Sequence, residues 1–212
     1  MLDSPRLVLF LTAALLLAIA PGPGMLYVLA RSLAGGKSAG VLSAFGTFLG
    51  GLVHVFAAAL GVSMILVKSV VAFSAVKYVG AGYLGFLGIR MILDTRRERF
   101  DAETIPPGLE SGHSPLWQGV ATEVLNPKTA LFFLSFIPQF VSRSSGHVFL
   151  QFLMLGTISV LLNTAADLLV IAMAGPLGTR IRSSAVFLRR QRTVTGAIMI
   201  GLGTYLATSE SK

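Results

Sequence analysis

Apolar residues fall along this chain in long runs separated by short polar stretches. Leu7–Ala30 contains no acidic or basic side chain, and neither does Ser38–Val67. Val70–Leu93 is apolar apart from Lys77 and Arg90 near its ends. Leu116–Val141 is interrupted by Glu123 and Lys128, Val148–Pro176 holds Asp167, and Thr193–Ser209 is a shorter sixth run. About 20 predominantly apolar residues cross the hydrocarbon core of a bilayer. The runs therefore predict an all-α integral membrane fold with six transmembrane helices, in which Lys77 and Arg90 snorkel towards the interfaces. Asp94–Pro115 carries eight charges in 22 residues and a Pro106-Pro107 pair. It reads as a charged loop over 94–115 that joins two halves, about 1–93 and 116–212, of one transmembrane domain spanning 1–212.

Composition sharpens the class. Of the 212 residues, 54% are hydrophobic and 12% charged, with a mean hydropathy of +0.78. Soluble domains carry about 25% charged residues, so there is too little polar side chain here to cover a water-soluble globule. With no cysteine, thiolate metal sites and thiol redox chemistry are excluded. The formal charge of +8 comes without a basic patch interleaved with aromatics, so no nucleic-acid partner is expected. The charge sorts by side of the membrane instead. Arg6, Lys68, Arg143 and Lys212, with Lys77 just inside, fall on the side of the termini. Eleven basic residues, including Arg31, Lys37, Arg96 and Arg189, fall on the other. The positive-inside rule then puts both termini outside and the Arg-rich loops in the cytoplasm. Leu7–Ala20 also has the form of a leader ending in Ala18-Ile19-Ala20. Pro21 makes a poor scissile bond, however, and Arg6 is balanced by Asp3, so the segment is read as a retained span.

Two spans carry breaks. Pro21-Gly22-Pro23-Gly24 lies late in the first and Asn126-Pro127-Lys128 in the fourth. Proline removes a backbone donor and clashes with the preceding turn. In lipid, the groups so freed must find partners in buried protein or a water-filled cavity. Paired interruptions in corresponding halves point to a central site; the plainer alternative is two kinks serving packing alone. Other matches support an internal repeat. Pro23 and Pro127 lie 104 positions apart, Phe45-Gly46-Thr47 and Leu155-Gly156-Thr157 lie 110 apart, and Gly80-Ala81 with Gly85 and Gly196-Ala197 with Gly201 lie 116 apart. The expected architecture is thus a 3+3 inverted repeat with helices 1 and 4 broken at their prolines. Gly46-x3-Gly50 and Ala81-x3-Gly85-x2-Gly88 are read as close helix packing.

The polar groups inside the spans are His54, Glu123, Asn126, Lys128, Asn163 and Asp167. Ionisable groups cost about 2.5–3.5 kcal/mol at a helix centre on insertion scales, so they face the bundle interior with partners. Ser159, Asn163 and Asp167 recur every fourth residue and form one polar stripe. Glu123 and Lys128 lie about 140° apart around an ideal helix and meet only if Pro127 distorts it. His54 is read first as a packing histidine and second as a proton relay. Arg31 stands where Gly35-Gly36-Lys37-Ser38 would need the first glycine of a phosphate loop. No nucleophile elbow, zincin motif or Cys/His metal spacing occurs. No enzyme, cofactor or metal is expected.

Pro21-Gly22-Pro23, Lys77-Tyr78-Val79-Gly80-Ala81-Gly82-Tyr83-Leu84 with Gly88, Asn126-Pro127-Lys128, and Phe136-Ile137-Pro138-Gln139-Phe140 occur in this order over the first two-thirds of the chain. In this arrangement the chain resembles the lysine exporter and homoserine/threonine-resistance (LysE/RhtB) family. The resemblance implies a transporter domain of the bacterial inner membrane that exports amino acids or close derivatives, driven by the proton motive force. The fifth and sixth spans carry no matching motif, so Asp167 stands on physical grounds alone.

The expected mechanism is alternating access around a midplane site. Half-helix N-termini at Pro21, Gly22, Pro23 and at Asn126, Pro127 receive a carboxylate, to which Lys128 adds charge. Asp167, or after it Glu123, accepts the substrate ammonium or the coupling proton, with Asn163 and His54 completing the candidate set. On this reading Lys128→Ala and Asp167→Asn each abolish export without changing membrane abundance. The expected partners are a small-molecule substrate, the proton and the lipid bilayer; a homo-oligomer is left open. The alternative within transport is a non-amino-acid small solute or a cation. Outside it stand a membrane enzyme, for which no catalytic constellation is found, and an accessory packing subunit.

Overall fold

The computed structural model describes residues 4–62, 70–97, 114–142, 146–183 and 185–208. Within them every element is helical. They are α1 (Ser4–Ile19), α2 (Pro23–Ala57), α3 (Val70–Arg97), α4 (Pro115–Val124), α5 (Pro127–Leu131), α6 (Val148–Ser183) and α7 (Ala185–Thr208). A π-helical turn at Ala58–Val62 continues α2, and π and 3-10 turns at Phe132–Phe136 and Ile137–Phe140 continue α5. The all-α reading holds, with both breaks at the expected prolines. Most of the charged loop, including Arg99 and Pro106-Pro107, lies outside the described residues, as do Lys68, Arg143 and Lys212.

By length and apolarity Val148–Ala174 qualifies as a span, and Pro23–Gly61 passes the same test but folds back on itself at Gly36. The pair Pro115–Val124 and Pro127–Phe140, bent by 44°, makes a third, while Pro5–Ile19 and Thr193–Thr208 are apolar but shorter. Pro23–Gly61 is long because it joins two helical arms, 23–35 and 37–61. One residue interrupts it: Gly36, at φ 74°, a left-handed conformation that glycine adopts without steric cost. The expected loop has contracted to a tight reversal at Gly36 that lays the arms side by side and antiparallel, with Gly40 against Ser32 and Gly24 against Thr47.

The packing is inside-out relative to a soluble protein. Val8, Val53, Phe86, Leu125 and Leu169 face outward, while Lys77, Glu123, Asn126, Lys128 and Asp167 are buried. Lys77 does not snorkel. It is 1% exposed, with its ammonium 5.3 Å from the Tyr78 ring centroid. The reason is that α3 lies against α7 and the Phe132–Phe136 turn, which cover this position with protein.

Small residues set the helix contacts and their directions. Gly46 meets Leu116 and Gly119, and a Cβ on Gly50 would lie 2.7 Å from that of Glu123; α2 and α4 run parallel. Gly51 meets Val160 while Gly156 meets Val55, so α2 and α6 run antiparallel. Gly88 meets Gly196 while Gly203 meets Ala81 and Gly85, so α3 and α7 are antiparallel as well. The glycine pattern is helix packing, as read, because a methyl group at these crossings would separate the backbones. The largest core cluster gathers Phe10, Phe132, Phe133, Phe136, Phe140 and Phe152 at one end. At the other, Tyr27, Val28, Ala44 and Ile171 form a smaller cluster.

Candidate functional site

The site is built from the two breaks. In an unbroken first helix the Leu17 carbonyl would accept from residue 21, but Pro21 has no N–H to give. Lys128 of α5 supplies the missing donor. Its Nζ donates to Leu17 O at 3.0 Å and to Ala20 O at 2.7 Å. Gly22 leaves room for that side chain, since a Cβ there would stand 3.1 Å from Lys128 Cε and Nζ. The Pro21 carbonyl accepts a longer bond, 3.3 Å, from Thr195 Oγ1 on α7.

Pro127 creates the same vacancy at Glu123 O. Two donors fill it: Asn126 N at 3.0 Å and His54 Nε2 of α2 at 2.9 Å. A carbonyl only accepts, so the His54 proton is assigned to Nε2. Asn126 then caps α5, its Oδ1 accepting from Lys128 N at 3.1 Å. The Glu123 carboxylate is held by Asn126 Nδ2 at 3.1 Å and Thr129 Oγ1 at 2.6 Å, and Oε2 lies directly against Gly24. A negative group is thus placed at the first turn of α2, where the helix dipole favours it. The N-terminus of α5 is therefore capped by Asn126, whereas Glu123 stands beside the first turn of α2 without a hydrogen bond to its backbone N–H groups.

Between the breaks is a small cavity of about 30 Å³, room for a water or two, so this conformation must widen there before it holds a small-molecule ligand. Its lining interleaves polar side chains, Thr47, Glu123, Lys128, Thr129, Ser159, Asn163 and Thr164, with apolar ones including Ala14, Leu17, Phe132, Phe133 and Val160. Glu123 and Lys128 both face it, yet each is bonded to uncharged groups rather than to the other. Lys128 spends two of its three N–H donors on the Leu17 and Ala20 carbonyls of the first break, which leaves the third for a ligand. Asp167 is fully buried behind this lining. Its Oδ2 lies 3.0 Å from Thr47 Oγ1, and its Oδ1 has no hydrogen-bond partner.

Of the residues singled out in the sequence, Glu123, Lys128 and Asn163 meet at the cavity. Gly22 and Asn126 brace Lys128, Pro21 and Pro23 shape the first break, and Asp167 sits one residue behind the wall. His54 does not line the cavity; its ring stacks on Phe133 at 5.9 Å between centroids. Sequence reasoning missed Thr129 and Thr195, and met Thr47 only inside the repeated Phe45-Gly46-Thr47. Hydroxyls are common in membrane helices, where they bond their own backbone, so nothing in their spacing set these three apart.

The LysE type translocator family model matches residues 15–210. The chain belongs to that family. It is a transmembrane translocator and not an enzyme. A membrane protein of Pseudomonas aeruginosa is 34% identical over 197 residues, 89% of this chain and 88% of its own length. A second membrane protein, from Vibrio cholerae, is 29% identical over 95% of this chain and 96% of its own. The leucine efflux protein of Salmonella typhimurium is 28% identical over 95% of this chain and 94% of its own. No solved structure matches the translocator significantly.

Proposed function

We propose that this translocator exports a zwitterionic amino acid with a neutral, apolar side chain across the bacterial inner membrane, in exchange for protons, by alternating access around the cavity. The observation that carries the reading is one cavity lined by Lys128 and Glu123, unpaired with each other, together with Phe132, Phe133 and Val160. The third donor of Lys128 takes the substrate carboxylate, and Glu123 takes the ammonium. An aliphatic side chain lies against Phe132, Phe133 and Val160. Asn163 and Ser159 add polar lining, and Asp167, out of reach of substrate, carries the coupling proton. His54 serves the second break rather than a relay. Leucine fits this mixed lining, in keeping with the efflux protein named above. A cation alone would meet the Lys128 ammonium, which disfavours the alternative substrate class.

The reading includes six spans in a 3+3 inverted repeat with both termini outside. Its support is directional. Six alternating spans make the second and fourth parallel, and the second and fifth, like the third and sixth, antiparallel. Arg31 also bonds Tyr27 and Gln118, and Tyr27 Oη donates to Pro115 O at 2.8 Å, consistent with the first and third loops lying on one side.

The test is uptake of a radiolabelled amino-acid panel into everted membrane vesicles, with and without a proton ionophore. Ionophore-sensitive accumulation of leucine-like substrates, lost in Lys128→Ala, is expected. Well-expressed protein that accumulates no amino acid refutes the substrate class, and accumulation indifferent to ionophore refutes the coupling.

A further inference from the structure

Asp167 on α6 has one hydrogen-bonding neighbour, Thr47 on α2. Thr47 Oγ1 stands 3.0 Å from Asp167 Oδ2 and 2.9 Å from the Ala44 carbonyl of its own helix. Both separations are of hydrogen-bond length, yet a hydroxyl brings a single proton. A carbonyl and an ionised carboxylate only accept. The two bonds exist together when the second proton sits on Asp167 Oδ2, so that Asp167 donates to Thr47 and Thr47 to Ala44. When that proton leaves, the Thr47 hydroxyl turns and donates to Asp167, and the side-chain bond to Ala44 O is given up. Asp167 Oδ1 stays without a partner, a smaller penalty for the carbonyl of a neutral acid than for a carboxylate. The charged groups acting on this carboxyl from the neighbouring elements are Glu123 on α4 and Lys128 on α5. Thr47 belongs to the cavity wall while Asp167 does not, so the hydroxyl is the polar link between them.

We propose that Thr47 is the positioning residue for proton coupling, its hydroxyl exchanging donor and acceptor roles as Asp167 gains and loses the transported proton. The proposal rests on Asp167 being the proton carrier. One proton enters and leaves at Oδ2, and Thr47 keeps its own throughout. The hydroxyl orientation presented to the cavity therefore differs between the two protonation states, which ties the wall's hydrogen bonding to the proton.

Infrared spectra of the protein reconstituted in lipid, recorded across pH, test this together with leucine accumulation driven by a pH gradient. The protonated-carboxyl band that Asp167→Asn removes identifies Asp167. In Thr47→Val that band changes frequency and its titration midpoint moves by about one pH unit or more. The pH of half-maximal accumulation moves with it, and Thr47→Ser restores both. Thr47→Cys, a weak donor, replaces Thr47→Val if the latter does not assemble, with the same expected shift. Spectra and pH profiles unchanged by loss of the hydroxyl, or a Thr47→Ser protein behaving like Thr47→Val, overturn the proposal. Failure of the underlying reading is distinct: Asp167→Asn still accumulates leucine on the pH gradient, or removes no titrating band.

Discussion

The two helix breaks have the same chemical cause and different remedies. At each, a proline removes the N–H that would have reached the carbonyl four residues earlier. The first break, at Pro21, is mended from outside: Lys128 and Thr195, both from the second half of the chain, bond the carbonyls of Leu17, Ala20 and Pro21. The second is mended from within by Asn126 N and from α2 by His54, which share the freed Glu123 carbonyl, while Asn126 and Thr129 hold the Glu123 side chain in place. The second break is thus in part self-supporting, and the first depends on it. The cavity charges, Glu123 and Lys128, both sit on the second.

That dependence gives a graded series of substitutions. The largest effect is expected for Lys128→Met, which strips two buried carbonyls of their donor at about 1–3 kcal/mol each. Export is lost and the detergent-solubilised protein unfolds at a markedly lower temperature. Unchanged thermal stability would show that the first break does not lean on the second. Membrane abundance of Lys128→Ala should fall for the same reason, contrary to the expectation drawn from sequence, where the lysine served substrate only.

Gly24→Ala comes next. Its methyl group runs into Glu123 Oε2, so the carboxylate must leave the first turn of α2 at a cost of about 1–3 kcal/mol. Export in vesicles drops about tenfold at equal protein level if each 1.4 kcal/mol is felt as one decade in the working state. Wild-type rates in this variant would mean Glu123 is free to move and does not bridge the breaks.

His54→Phe keeps the ring against Phe133 but removes one of two donors to Glu123 O. Because Asn126 N remains, a loss of about 1 kcal/mol is expected, read as a small shift in denaturation midpoint with transport and its pH profile retained. A changed pH profile would instead restore the relay reading of this histidine. Thr195→Val is the mildest: its bond to Pro21 O is long, and about 0.5–1 kcal/mol or less is at stake. Vesicle uptake within about twofold of wild type is the expected outcome.

The contrast also marks what was legible in the sequence. Both breaks were, because proline acts locally, and so were the crossings at Gly46, Gly50 and Gly88, because small residues have few other uses there. Lys128, Glu123 and Asn163 were legible as buried polar groups needing company. Which company was not: that Lys128 bonds a turn 108 residues earlier is a tertiary fact without a trace in local spacing. Lys77 was misjudged for a related reason, since its distance from the run's end suggested an interface while α7 and the Phe132–Phe136 turn bury it. The connection between the first two runs was overestimated because charged Arg31 and Lys37 ended the runs, while the chain reverses at Gly36 alone.

The bond from Lys128 to Ala20 also bears on how the protein is made. At about 5–20 residues per second of synthesis, the 108 residues between them keep the first helix waiting about 5–20 s for its ammonium. Through that interval the carbonyls of Leu17 and Ala20 lie in the nascent chain without their eventual partner. The first helix therefore leaves the ribosome as an unfinished part, with water, lipid headgroups or the insertion machinery left to shelter its open turn. The first break is complete only once α5 arrives to close it.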